Sequence, residues 1–159
     1  MSQKLSASAQ RVQDVLTMHG VPCRVVELPA STRSAREAAQ AIGCRVEQIA
    51  KSLVFRGQHT RRPILVVASG SNRVNERRLG EFVSEPVEKA DAEFVRERTG
   101  FAIGGVPPAG HAERLETFID ADLLQYAEIW AAAGTPRAVF QLTPADLIEI
   151  TGGQVVSIT

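Results

Sequence analysis

The chain has 159 residues, 44% hydrophobic and 23% charged, a globular composition long enough to build one core. Eighteen Lys and Arg balance eighteen Asp and Glu, which excludes a whole-molecule basic field, so any polyanion must be met by a local patch. The longest uncharged stretch, 99–112, is too short to cross a bilayer and is broken by Gly100, Gly104, Gly105, Pro107, Pro108 and Gly110.

Leu5, Ala9, Val12 and Leu16 recur at three- and four-residue spacing and predict a first helix, stopped by Gly20 and Pro22. Residues 23–28 read as a strand. Ser34-Ala35-Arg36-Glu37 has capping-box spacing and opens a helix through Ala38 and Ile42 that stops at Gly43. A helical turn is expected over 46–50. Residues 51–56 then alternate, with Lys51, Leu53 and Phe55 on one face and Ser52, Val54 and Arg56 on the other. The continuous apolar run 64–68 predicts a strand covered on both faces.

Residues 69–72 turn the chain into a helix over 75–82, and Asp91 caps a second helix that Gly100 ends. Residues 101–103 read as a short strand leading into a glycine–proline loop. Strands are also expected at 117–119, 129–131, 138–142 and 155–158. Thr143-Pro144-Ala145-Asp146 starts a helix reaching about Ile150. Several strand pairs are joined too closely for a crossover helix, so the expected class is α/β or α+β with a mixed sheet.

Cys23 and Cys44 are the only cysteines and are expected to be reduced and structural. His19, His59 and His111 lack ligand spacing, so no metal site is expected. The segment Met1-Ser2-Gln3-Lys4 leads into no apolar run, and the expectation is a soluble cytoplasmic protein without a signal peptide. No phosphate-binding loop, dinucleotide fingerprint or nucleophile elbow is present, which leaves cofactor-dependent chemistry without support.

Three features carry chemistry. Lys51 heads a strand face; it is either a lysine that snorkels to water or a cation that a ligand can reach. Gly104-Gly105-Val106-Pro107-Pro108-Ala109-Gly110-His111 follows, either a wide turn or a stiffened loop whose N–H groups are aimed at an oxyanion. His111 at its end is a candidate proton shuttle or 3′-end contact. The arginines Arg56, Arg61 and Arg62, and then Arg73, Arg77 and Arg78, form either a phosphate-positioning cluster or a solvated face offset by Glu76 and Glu81.

The motifs 32–39, 49–55, 70–75, 104–108, Ile119-Asp120 and Gly134-Thr135 arrive in an order that resembles the YbaK/EbsC family of aminoacyl-tRNA deacylases, relatives of the editing insertion of bacterial prolyl-tRNA synthetase. The resemblance covers residues 8–158, and the chain 1–159 is expected to be one editing domain. It implies a curved, mixed, mostly antiparallel sheet flanked by helices. It also implies hydrolysis, in trans and without cofactor or metal, of the ester joining a small wrong amino acid, such as Ala or Cys, to tRNA(Pro). The partners implied are the aminoacylated 3′ end of tRNA and prolyl-tRNA synthetase.

By the same resemblance Lys51 matches the family lysine, and Gly104, Gly105, Val106 and Pro108 match its Gly-x-x-x-Pro loop, with His111 as an alternative helper to a ribose hydroxyl. Thr32, Phe55, Asp120, Gly134 and Thr135 are implied on the substrate side. Leu28, Phe55 and Ile103 are candidate pocket walls. Two rival readings stay open: a non-catalytic tRNA- or synthetase-binding module, and a Schiff-base enzyme using Lys51 on a small carbonyl compound.

Overall fold

The computed structural model describes residues 4–159; residues 1–3, on which the signal-peptide reading partly rests, lie outside the described residues. In chain order the elements are α1 (Ala7–Met18), β1 (Val25–Glu27), α2 (Ala35–Ile42), a 3-10 turn (Val46–Gln48), β2 (Ile49–Gly57), β3 (Pro63–Ser69), α3 (Glu76–Val83), β4 (Val87–Lys89) and α4 (Ala92–Thr99). They continue with β5 (Glu116–Asp120), a second 3-10 turn (Ala121–Gln125), β6 (Ile129–Ala132), β7 (Ala138–Leu142), α5 (Pro144–Thr151) and β8 (Gln154–Val156). One eight-stranded sheet runs β1-β7-β6-β2-β3-β5-β8, with β4 also paired to β2.

Helix ends follow local chemistry. The Ser34 hydroxyl accepts from the Glu37 N–H at 3.1 Å, the forward half of the expected box, and Gly43 closes α2 at φ 85°. Asp91 accepts from the Phe94 N–H at 2.8 Å, and Gly100 closes α4. Thr143 and Asp146 form a complete box with Pro144 in the first turn. Asn75 caps α3 from outside the helix, its side chain accepting from the Arg78 N–H.

The sheet is mixed. β1–β7, β6–β7, β2–β3 and β2–β4 are antiparallel; β2–β6, β3–β5 and β5–β8 are parallel. Ile64 to Ala68 of β3 are fully buried, as an apolar run between two layers requires. On one side Leu65 and Val67 join Leu16, Val95, Phe140 and Leu147. On the other, Ile64, Val66 and Ala68 join Phe55, Leu79, Val83 and Phe118. Each buried Val, Leu, Ile or Phe among them contributes roughly 1.5–3 kcal/mol, which puts β3 at the centre of the core.

Three expectations are corrected. Residues 101–103 are not a strand: Phe101 turns into the core with its N–H on the Thr99 hydroxyl at 3.0 Å, and Ile103 stands 51% exposed in a turn closed by Gly105 N–H to the Ala102 carbonyl. The left-handed Gly100 redirects the chain before a sheet edge is reached. The helical turn near residue 46 ends at Gln48, because Ile49 and Ala50 are claimed by pairing with Trp130 and Ala131. β4, only three residues long, carries no readable alternation of its own. The last strand ends at Val156, leaving Ile158 buried beyond it.

Candidate functional site

Along one side, β2 is paired with β6 only at Ile49 and Ala50 and with β4 only from Phe55 onward. Between those ladders the strand 51–54 keeps β3 on its other side but has no ladder on this one. A cavity of about 830 Å³ occupies the interval, lined from β2, from Trp130 to Ala132 of β6, from Lys89 and Ala90, from the segments 32–35 and 71–74, and from Ile103, Gly104 and Val106. The sheet therefore makes its own opening by letting two neighbours diverge from one strand.

Lys51 stands half-buried in that wall, its Nζ donating to the Gly70 carbonyl at 3.3 Å. Burial lowers its pKa below the usual lysine value; the Asp120 carboxylate opposes that shift, and the charges of Arg73 and Lys89 add to it. Asp120 itself is 1% exposed and lies behind the wall. It accepts from the Ser69 N–H at 2.9 Å, the Asn72 amide at 2.8 Å and the Asp122 N–H at 2.9 Å. Asp120 thus braces the 69–72 turn that carries Gly70 and Asn72, and it does not line the cavity.

Gly104 and Val106 bring the loop to the cavity. Gly104 holds φ +95°, and a Cβ there would stand 2.8 Å from Cγ of Arg33. Gly105 lies against the 134–135 turn, where a Cβ would meet Thr135 backbone at 2.8 Å, and its carbonyl accepts from the Gly134 N–H at 2.8 Å. Among the described residues no acceptor takes the N–H of Gly104 or Val106. Pro107 and Pro108 are buried beneath. Thr32 locks its segment to the same turn, donating N–H and hydroxyl to the Pro136 carbonyl at 2.6 and 2.9 Å.

Of the residues singled out from sequence, Lys51, Gly104, Val106, Thr32 and Phe55 line the cavity, whereas Gly105, Asp120, Gly134 and Thr135 brace it from behind and Pro108 is buried outside the lining. Ile103 is a wall; Leu28 is not, being tied by its N–H to the Arg137 carbonyl. His111 is also outside the lining. Its Nε2 donates to the Pro107 carbonyl at 2.7 Å, and burial lowers its pKa, which keeps the ring neutral at pH 7. The Arg cluster disperses: Arg56 pairs with Glu88, Arg62 with Glu85 and Glu116, and Arg77 with Glu81, while Arg73 alone among the six lines the cavity.

Sequence reasoning missed Arg33, Ser52, Lys89 and the 130–132 wall as site residues. The quoted motifs contained Arg33 and Ser52, but nothing local could show that β6 runs beside β2 or that β4 delivers Lys89.

Among the described residues no three His, Cys, Asp or Glu side chains are grouped as metal ligands, and no helix is long and apolar enough to cross a membrane. Both cysteines are free; burial, with the Asp146 carboxylate beside it, raises the Cys23 thiol to about 11.

The chain is similar over its whole length to "Putative Cys-tRNA(Pro)/Cys-tRNA(Cys) deacylase EbsC" of Enterococcus faecalis, 26% identical over 162 residues and covering 98% of that protein. It is 32% identical to YwhH of Bacillus subtilis over 131 residues, 82% of this chain and 83% of that one. A crystal structure described as "a putative trans-editing enzyme for prolyl tRNA synthetase" superposes with a TM-score of 0.92 at 52% identity, over 98% of this chain and 99% of the other. The family model of the aminoacyl-tRNA editing domain matches residues 29–150, the span that contains every wall of the cavity. The chain therefore belongs to the aminoacyl-tRNA editing domain family, among the deacylases of the YbaK/EbsC type.

Proposed function

We propose that the protein, acting as one editing unit in the cytoplasm, hydrolyses in trans the ester of tRNA(Pro) mischarged with a small amino acid such as alanine or cysteine, beside or after prolyl-tRNA synthetase. The observation that carries the reading is the meeting of a half-buried lysine with a glycine-led loop across one cavity. The neighbour described as serving prolyl tRNA synthetase, at 52% identity, supports the choice of tRNA, and the distant relative named for Cys-tRNA supports a small side chain.

In this mechanism Lys51 anchors the terminal ribose or the acyl carbonyl as a compact charge. Water adds to the ester carbonyl carbon, and the Gly104 and Val106 N–H groups stabilise the oxyanion that forms. One such donor is typically worth roughly 100- to 1000-fold in rate. The intermediate then breaks its bond to the ribose oxygen, which takes up a proton as the free amino acid leaves. His111 is engaged by Pro107, so a ribose hydroxyl of the substrate is the group that orients the water.

The test is deacylation of tRNA(Pro) charged with alanine, cysteine, serine, 2-aminobutyrate or proline. Loss of one small non-cognate ester, sparing of prolyl-tRNA and a rate drop of about 100-fold or more in Lys51→Ala are expected. Cleavage of none of them, with tRNA still bound, would replace the reading by a binding module. A borohydride-trapped adduct on Lys51 would replace it by Schiff-base chemistry.

A further inference from the structure

The mouth of the cavity carries charge that hydrolysis does not use. Arg33 before α2, Arg73 after β3 and Lys89 at the end of β4 all line it, and all three are exposed. None makes an ion pair among the described residues. Glu76 is the single carboxylate residue among the cavity's lining side chains. In a chain with equal numbers of acids and bases, an ordinary solvated face interleaves the two signs, as Arg77 and Glu81 do on α3.

The three cations come from separate segments and stand on different sides of the opening. The stem of Arg33 crosses Gly104, on the loop side. Arg73 and Lys89 lie on the Lys51 side, near enough for their charges to weigh on its ammonium. A ligand with one charge at its tip would need Lys51 alone. A ligand that trails repeated charges out of the mouth would meet all three.

Resting on the deacylase reading, we propose that Arg33, Arg73 and Lys89 form a phosphate rim. It grips the last phosphates of the RNA 3′ strand while the terminal ester enters the cavity. Phosphate contacts set position and carry no sequence information, so the rim selects nucleic-acid-linked esters over free ones and leaves amino-acid choice to the apolar walls.

The experiment uses one RNA hairpin ending in single-stranded CCA, uncharged for binding and aminoacylated for turnover, beside the phosphate-free aminoacyl-adenosine. Wild type is compared with Arg73→Gln, Lys89→Gln and, as a control, Arg61→Gln. Arg61 is exposed and stands away from the cavity. Three single-strand contacts predict a slope of log affinity against log salt of about −2, and each rim substitution flattens it by about 0.7.

The ratio of kcat/KM on the RNA ester to that on aminoacyl-adenosine should fall roughly three- to tenfold in each rim variant and hold in Arg61→Gln. An unchanged ratio, or an equal fall in the Arg61 control, overturns the rim while leaving the deacylase reading in place. RNA binding that depends on salt and on the rim residues, with no ester cleaved, upholds the rim and overturns the deacylase reading.

Discussion

At Lys51 two opposed requirements meet: the ammonium must stay charged to hold a substrate, and the wall that positions it strips away water. Burial is the leading effect and lowers the pKa, with Arg73 and Lys89 pulling the same way and Asp120 resisting. A base with a lowered pKa loses its proton earlier as pH rises. The rate of enzymatic ester cleavage, after subtracting the spontaneous reaction, should therefore fall on the alkaline side with a midpoint below the ordinary lysine value of 10.5. A rate still rising at that pH would mean that the charge on Lys51 is dispensable. Asp120 acts one shell further out, by holding the turn whose Gly70 carbonyl receives Nζ. Local sequence could mark Asp120 as part of a motif; only the tertiary structure separates a group that braces from one that touches.

At the scale of elements, the loop 104–108 owes its path to backbone packed on backbone. A methyl at Gly105 would meet the Thr135 N, Cα and C atoms at 2.8 Å, and backbone has no rotamer by which to yield. At Gly43, which is also left-handed at φ +85°, nothing stands within 4 Å. Gly43→Ala should cost only the left-handed strain, about 1–2 kcal/mol in chemical denaturation, with catalysis retained. Gly105→Ala should displace the loop and remove most of the rate, read as kcat/KM on the same ester. Equal activity in the two variants would show that the loop's position does not matter to catalysis.

The helix caps were legible because Ser34, Asp91 and Thr143 act within three residues of themselves. The 101–103 segment was misread because its apolar pattern is fixed by Thr99 and the core, not by a strand partner. The motifs that carry Thr32, Gly105 and Gly134 were legible as an ordered set along the chain, but their convergence was not. Its physical cause, the hydrogen bonds to Pro136 and Gly105, joins residues about a hundred positions to about thirty positions apart.

For the whole molecule, electrical neutrality is a sum and says nothing about distribution. Elsewhere Arg62 faces Glu85 and Arg98 faces Glu113, while at the cavity mouth Arg33, Arg73 and Lys89 stand with Glu76 as the one carboxylate of the lining. The sheet order has a further consequence. The Ala90 N–H donates to the Val54 carbonyl, and Ala50 pairs with β6, so the alternate residues 50, 52 and 54 point their backbone groups toward the interval where those ladders part. Lys51 and Leu53 point theirs at β3. One of the most deeply embedded strands should then show two clocks in amide hydrogen exchange. Leu53 should exchange as slowly as the global unfolding of the core permits, and Ser52, its neighbour, should exchange orders of magnitude sooner. Residue-resolved exchange giving both amides the same protection would mean that the ladders close over the cavity in solution; a fast Ser52 beside a slow Leu53 would make that amide a native reporter of whatever enters.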